Sequence, residues 1–587
     1  MKKATIAFLV PALLLISGLK AQTVQEGKNH LYAQRYNSAI TTFEKLLAAN
    51  PNNIEAIYWL GQTYLESEEI MAARIASTRQ LYEKAMQSTN SAPLIMVGLG
   101  HVELLENKGS DARQKFETAL TMTRTKKGDN QEILNAVGRA NTDAKGGDFN
   151  YAIEKLLAAA DKGEKNAETL VLLGNAYRKA RPGEGGGEAF RSYKKALEIN
   201  SNFPLASLRL AKLFESQKNW ELVLQYLNEA ITKDANYTAA YYDLFYYYFY
   251  RLDYAAAETQ LQKYIDSKLP EKDIQDEYLY AQLCWAQKDY TCATTRAESV
   301  VSSLGSKTKP KVYRLLSDAY FQKGDFAGAK KNSDDFFAKK NPDDIILYDF
   351  QLRADILDKT GGTVDEIYNT YLQGAGIDTT LSLKIDLLKL GADRFKARGD
   401  SIGRIKEGDL RTVILKMKEN PGQRDYFDAG FAYYQGKNYE KADSIFDVYV
   451  EKFPDETYGY MMEYNIHRAM DSTMENGAAV PWAEKYLAIL EKDTAKNKNY
   501  IMGVAGYLAQ YHANIAKDKI KALEYLRKML ALDPANTAIQ QNISILEKSS
   551  GNKPANPPSK GGPASGKPAT PKPSAKIVTS KNIVVRT

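Results

Sequence analysis

Histidine and cysteine, the side chains that most often hold a metal or carry a nucleophile, are scarce: four and two in 587 residues. His30, His101, His467 and His512 stand far apart, and none lies in His-Glu-x2-His or another familiar metal-ligand spacing. No Gly-x-Ser-x-Gly elbow is present. The run Gly183-Glu-Gly-Gly-Gly187 lacks the Gly-Lys-Ser/Thr ending of a phosphate cradle and places glutamate where an anion would sit. It reads as a widened turn between helices. Carboxylates are plentiful, but the sequence assigns them to solvated helix faces. No residue is therefore nominated as catalytic, cofactor-binding or metal-ligating, and an enzyme is the least favoured class.

Long apolar runs are also missing, except at the start. Lys2 and Lys3 precede an apolar stretch from Ile6 to Ile16, and Leu19-Lys20-Ala21 offers a cleavage site before Gln22. Such a run is too short to span a bilayer and reads as a secretory leader over residues 1–21, with an uncleaved anchor as the alternative. No cysteine follows it to take a lipid. Export from a bacterial cell, to the periplasm or the periplasmic face of the outer membrane, is the expectation.

Acid is absent from the last 37 residues, which hold seven of the 19 prolines, six lysines and one arginine. This composition predicts a disordered linker over 551–587. The whole chain carries +7; without the three lysines of the leader it carries +4, and without the +7 of the tail the remaining body is at −3. Basicity belongs to the tail, which argues against a nucleic-acid-binding body. The lysines favour contact with anionic or peptidoglycan surfaces. The final segment from Lys576 to Thr587 is rich in β-branched residues and reads as strand-like, or as an unstructured end.

What fills the rest is a repeat. Gly430, Tyr433, Tyr439, Ala442, Phe446 and Pro454 form its clearest copy. Similar marks recur as Ala39, Phe43 and Pro51; as Leu60, Gly61 and Tyr64; and as Leu99, Gly100, Ala112, Phe116 and Ala119. They return as Leu173, Gly174, Tyr177, Ala189, Tyr193 and Ala196, then Tyr320, Gly324, Phe326 and Ala329, then Ala522, Leu526 and Pro534. Small residues at these offsets let two helix backbones cross closely, and the large ones fill the space beside them. The pattern resembles the tetratricopeptide repeat, a helix pair of about 34 residues. The resemblance covers roughly residues 23–550. It implies an all-α fold: a right-handed α-solenoid of about thirteen or fourteen helix pairs, each touching its neighbours. Residues 22–343 form one block of repeats and 421–550 another, ending in a closing helix over 537–550. Between them, 344–420 keeps helical periodicity but loses the repeat marks, so degenerate repeats and a possible bend are expected there.

The family's groove positions, carried onto the repeat starting at Thr238, place Tyr242, Tyr246, Phe249 and Tyr250 on the concave side. Tyr241, Leu244, Phe245 and Tyr248 fall on the packed side. Tyr278, Trp285 and Phe321 extend the groove, and Phe427, Phe431 and Tyr434 form a second patch. Clustered aromatics suit a binding hot spot, because they bury a large area with few rotors. Filling a tightly wound solenoid is the competing reading. The carboxylate clamp of chaperone-binding members is incomplete: Asn175, Arg178 and Lys179 are present, but Val171 and Arg209 replace its other polar positions. Cys284 and Cys292 fall in the two helices of one repeat, either as a disulfide of the exported chain or as two small buried residues. The resemblance therefore implies a protein-binding scaffold of the cell envelope without cofactor, nucleic acid or transmembrane helix. A peptidoglycan-binding protein is the alternative.

Overall fold

In the computed structural model, the described residues are 23–548, apart from 68–70, 163–164, 269–272, 340–344 and 378. The expected leader over 1–21 and the tail over 551–587, with its strand-like end, lie outside them. The described chain is an α-solenoid of helix pairs. It divides into two compact units, one running to Lys339 and the other from Lys340. Nine consecutive pairs make up the first unit, from Val24–Tyr32 with Tyr36–Ala49 to Pro310–Lys323 with Phe326–Lys339. Five pairs follow in the second, from Leu347–Lys359 with Val364–Ala375 to Thr494–Asn514 with Lys519–Leu532, before the closing helix Thr537–Lys548. Among the described residues no helix is long and apolar enough to cross a membrane.

One contact recurs in many of the pairs. A glycine in one helix faces an aromatic ring or leucine of its partner, so closely that an added Cβ would collide. The distances would be 2.4 Å at Gly100 against Phe116, 2.4 Å at Gly174 against Tyr193 and 2.5 Å at Gly430 against Phe446. These small–large pairs are the ones the repeat marks predict. The first pair uses the same device, Gly27 against Phe43, although its glycine lies outside the marks read from sequence.

The turn inside a pair is equally regular. A residue in the left-handed region precedes an Asn or Asp that caps the second helix: Lys218 before Asn219, Leu252 before Asp253, Lys288 before Asp289 and Lys437 before Asn438. The cap side chain accepts a hydrogen bond from an otherwise unpaired first-turn N–H.

The described part of the stretch over 344–420 is built of four helices joined by turns. Its helices Leu381–Arg398 and Ser401–Met417 are long, and the small–large contacts are rearranged. Gly391 lies against Tyr371 of the preceding helix, and Gly408 against Tyr433 of the following one.

In the first unit, the chain returns on itself. The Ala239 amide donates to the Ala33 carbonyl at 3.1 Å, and the Tyr237 hydroxyl to the Tyr32 carbonyl at 2.8 Å. Ala33 is fully buried among residues of the fourth to seventh pairs. The helix Val24–Tyr32 is further held by Lys28, Tyr32 and Arg139, which all donate to the carboxylate of Glu168. Lys28 and Arg139 also lie 4.5 and 4.6 Å from the centre of the Trp59 ring.

Candidate functional site

This return leaves a cleft of about 1280 Å³ in the first unit, between its first two helix pairs and its seventh to ninth. Tyr36 and Tyr64 line one side, and Tyr242, Tyr264 and Tyr278 the other. Its charge is unbalanced: Arg35, Arg74, Lys84, Lys268 and Lys311 line it against Asp273 and Asp276. Lys268 is bound to Asp276 at 2.8 Å, and Arg35 faces Asp234 at 4.0 Å. A cavity that is wide, tyrosine-lined and basic can take an extended segment with apolar and acidic side chains.

The aromatic run that supplies one wall folds as the helix Thr238–Phe249. Tyr241, Leu244 and Phe245 are buried. Tyr242, Tyr246 and Phe249 are half-buried, packed on the cluster around Leu261 and Leu279. The rings of Tyr242 and Tyr246 meet edge to face at 5.0 Å, and the Tyr246 hydroxyl donates to Gln282 at 2.9 Å. Tyr250 stacks on Tyr246 and is 74% exposed. Tyr246 and Tyr250 line a smaller cavity of about 310 Å³ with Lys212, Asp243 and Arg251, so the run divides between two openings.

The other residues of the expected groove differ in burial. Tyr278 is a core residue, 8% exposed and packed with Leu279 and Val312. The ammonium of Lys311 sits 4.5 Å over its ring, leaving only an edge of the ring to the cleft. The groove position read from sequence is displaced because the next helix pair covers it. Trp285 is half-buried in the same cluster, and Phe321 rests against Phe326.

In the second unit, Phe427 and Phe431 stack at 5.4 Å, and Phe431 and Tyr434 at 6.4 Å, as a ladder of half-buried rings on the helix Gln423–Gln435. The exposed Tyr458 meets Phe427 at 6.0 Å and extends it.

Cys284 and Cys292 are joined as a disulfide, with Cα atoms 5.7 Å apart. The partial clamp of the fifth pair is engaged internally. Asn175 accepts from the Tyr193 hydroxyl, Arg178 donates to the Lys212 carbonyl, and Lys179 to the Thr142 carbonyl.

The histidines have distinct surroundings. His101 is buried against Gln62, and burial pulls its imidazole down to about 4, so it is neutral at physiological pH. His512 is likewise buried, between Tyr511 and Tyr525. His467 stands one helical turn from Glu463, and both lie near Asp443, a grouping the sequence reading did not single out. The signal was the i, i+4 spacing of Glu463 and His467. The third group comes from the preceding helix, which no sequence motif connects to them.

Residues 30–76 match the tetratricopeptide repeat family. No curated protein sequence matches the chain. Among solved structures, the C-terminal part of a TPR repeat-containing protein from Cytophaga hutchinsonii is 24% identical, covering 45% of this chain and 99% of its own, with a TM-score of 0.25. A tetratricopeptide repeat protein from Parabacteroides merdae is 21% identical over 44% of this chain and 98% of its own, at a TM-score of 0.36. Yeast Tom70 is 13% identical, covers 80% of this chain and 96% of its own, and has a TM-score of 0.32. These loose superpositions carry no argument about partners. The matched segment is a tetratricopeptide repeat, and small–large contacts of the same kind recur in both units.

Proposed function

We propose that the protein is a non-enzymatic scaffold of the bacterial cell envelope that holds a segment of a protein partner in the tyrosine-lined cleft of its first unit. The observation that carries this reading is the cleft itself, about 1280 Å³ with half-buried tyrosines along one wall and an excess of basic side chains. Tetratricopeptide solenoids characteristically bind other proteins rather than catalyse, and their stacked repeats offer extended concave surfaces. The leader-like first 21 residues support export, and the basic tail supports a second, electrostatic attachment. The partner segment that best suits the cleft is extended, with aromatic or aliphatic anchors and acidic flanks.

The test is a crosslinked pull-down from the native envelope. It compares wild type with the double variant Tyr242→Ala, Tyr246→Ala and with a deletion after Ser550. A discrete set of envelope proteins lost in the tyrosine variant, with its melting temperature nearly kept, is the expected result. Melting on the scale of Leu244→Ala would make the tyrosines core residues. Loss of partners only on tail deletion would move the function to the last residues. Sedimentation with purified peptidoglycan that depends on the two tyrosines would transfer the reading to glycan recognition.

A further inference from the structure

The helices Tyr439–Lys452 and Thr457–Met470 belong to two consecutive pairs of the second unit and pack against each other. One turn apart on the first stand Asp443 and Asp447; one turn apart on the second stand Glu463 and His467. Residues at i and i+4 share a helix face, so each helix offers two polar groups to the seam. The Nε2 of His467 lies 2.9 Å from Asp443 Oδ1 and 3.5 Å from Glu463 Oε2. One donor atom from each of the three side chains falls within a common span of 4.8 Å.

Glu463 makes this more than a cluster of surface acids. Its side chain is 0% exposed, and neither carboxyl oxygen has a hydrogen-bond partner; Asp443 Oδ1 also lacks one despite the nearby imidazole. Among the described residues, no lysine or arginine forms an ion pair with either carboxylate. The ammonium of Lys485 stands 4.1 Å over the Trp482 ring instead. A buried carboxyl without partners is costly unless it holds a proton or meets a cation.

We propose that Asp443, Glu463 and His467 form a binding site for a divalent transition-metal ion, best suited to Zn²⁺, that bridges two consecutive helix pairs. Bonds of about 2.0–2.2 Å in tetrahedral geometry place donor atoms roughly 3.3–3.5 Å apart. The separation of 3.5 Å matches that spacing, and the one of 2.9 Å reaches it with small rotations of the side chains. One imidazole with two carboxylates and no thiolate fits Zn²⁺, Mn²⁺ or Fe²⁺, and the nitrogen donor disfavours Ca²⁺ and Mg²⁺. Two ionised carboxylates neutralise the dication. His467 is oriented by stacking on Trp482, with ring centres 6.0 Å apart and planes at 18°. Asp447 adds negative potential beside Asp443.

The experiment titrates the full chain, freed of metal with a chelator, with ZnCl₂ alone. Calorimetry at neutral pH reads affinity and stoichiometry. The expected result is one saturable equivalent, with affinity reduced at least about tenfold in Glu463→Gln and in His467→Ala. Zn²⁺ should raise the melting temperature of wild type but not of Glu463→Gln. That variant preserves side-chain size and removes the buried acid, so it tests the site even if His467→Ala folds poorly. No saturable binding by wild type overturns the proposal, and so does binding that survives unchanged in both variants.

Discussion

Glu168 shows how one buried side chain can anchor a helix that is remote in sequence. Burial alone would raise its carboxyl above 4.5, but Arg139 and Lys28 beside it prevail and hold it below. A carboxylate with a lowered pKa contributes stability above the ordinary glutamate range and loses it as pH falls through the folded value. Glu168→Gln, which leaves Arg139 and Lys28 beside a neutral amide, should cost about 3 kcal/mol near neutral pH. The urea midpoints of wild type and variant should converge as pH falls below the ordinary glutamate range and through the folded value. A gap that persists in acid would mean that the amide disturbs packing rather than charge. None of this was legible in the sequence. Glu168 reads there as one more acid on a helix, and its partners lie 29 to 140 positions away. Glu463 was hidden for the same reason: burial and cross-helix contact, not local pattern, set its chemistry.

At the scale of the helix pair, far more could be read in advance. Gly100 with Phe116, Gly174 with Tyr193 and Gly430 with Phe446 were marked by spacing alone, because a repeated close crossing demands the same small and large residues each time. Gly174→Val should therefore destabilise by about 3 kcal/mol or more, since its Cβ would meet the Tyr193 ring at 2.4 Å. A loss below about 1 kcal/mol in denaturant unfolding would refute the close-crossing account. The stretch over 344–420 escaped recognition because Gly391 and Gly408 find their rings in neighbouring pairs rather than in their own partner helices. The turns carry a second prediction. Leu252 holds a left-handed backbone, φ 62°, with its side chain 71% exposed. Leu252→Gly should raise stability by about 0.5–1 kcal/mol, because glycine occupies that region without strain. A lower melting temperature would show that Leu252 contributes packing that outweighs the strain.

Across the first unit as a whole, contacts reach beyond neighbouring repeats. An ideal repeat array is stabilised by each repeat and its immediate interfaces, and it frays from its ends. Here the Tyr237 hydroxyl and the Ala239 amide tie the first pair to the seventh. Tyr237→Phe should cost about 1 kcal/mol. Its distinguishing readout is hydrogen exchange: protection should fall first in the helix Val24–Tyr32, not in Thr238–Phe249. Equal loss in both helices would mean that the bond is local in effect. The solenoid class could be foreseen from the repeats. The return contact could not, because it depends on curvature summed over six pairs, to which each repeat adds a small rotation.

That return contact also dictates an order of events. Tyr32 and Tyr237 are separated by 205 positions, so during synthesis the first helix pair leaves the ribosome well before its partner exists. At about 5–20 residues per second, the wait is on the order of ten to forty seconds. Through that interval the first helix pair lacks the contacts with Tyr237 and Ala239 that complete its seat, and the surface it later turns toward them stands open to any chaperone in reach.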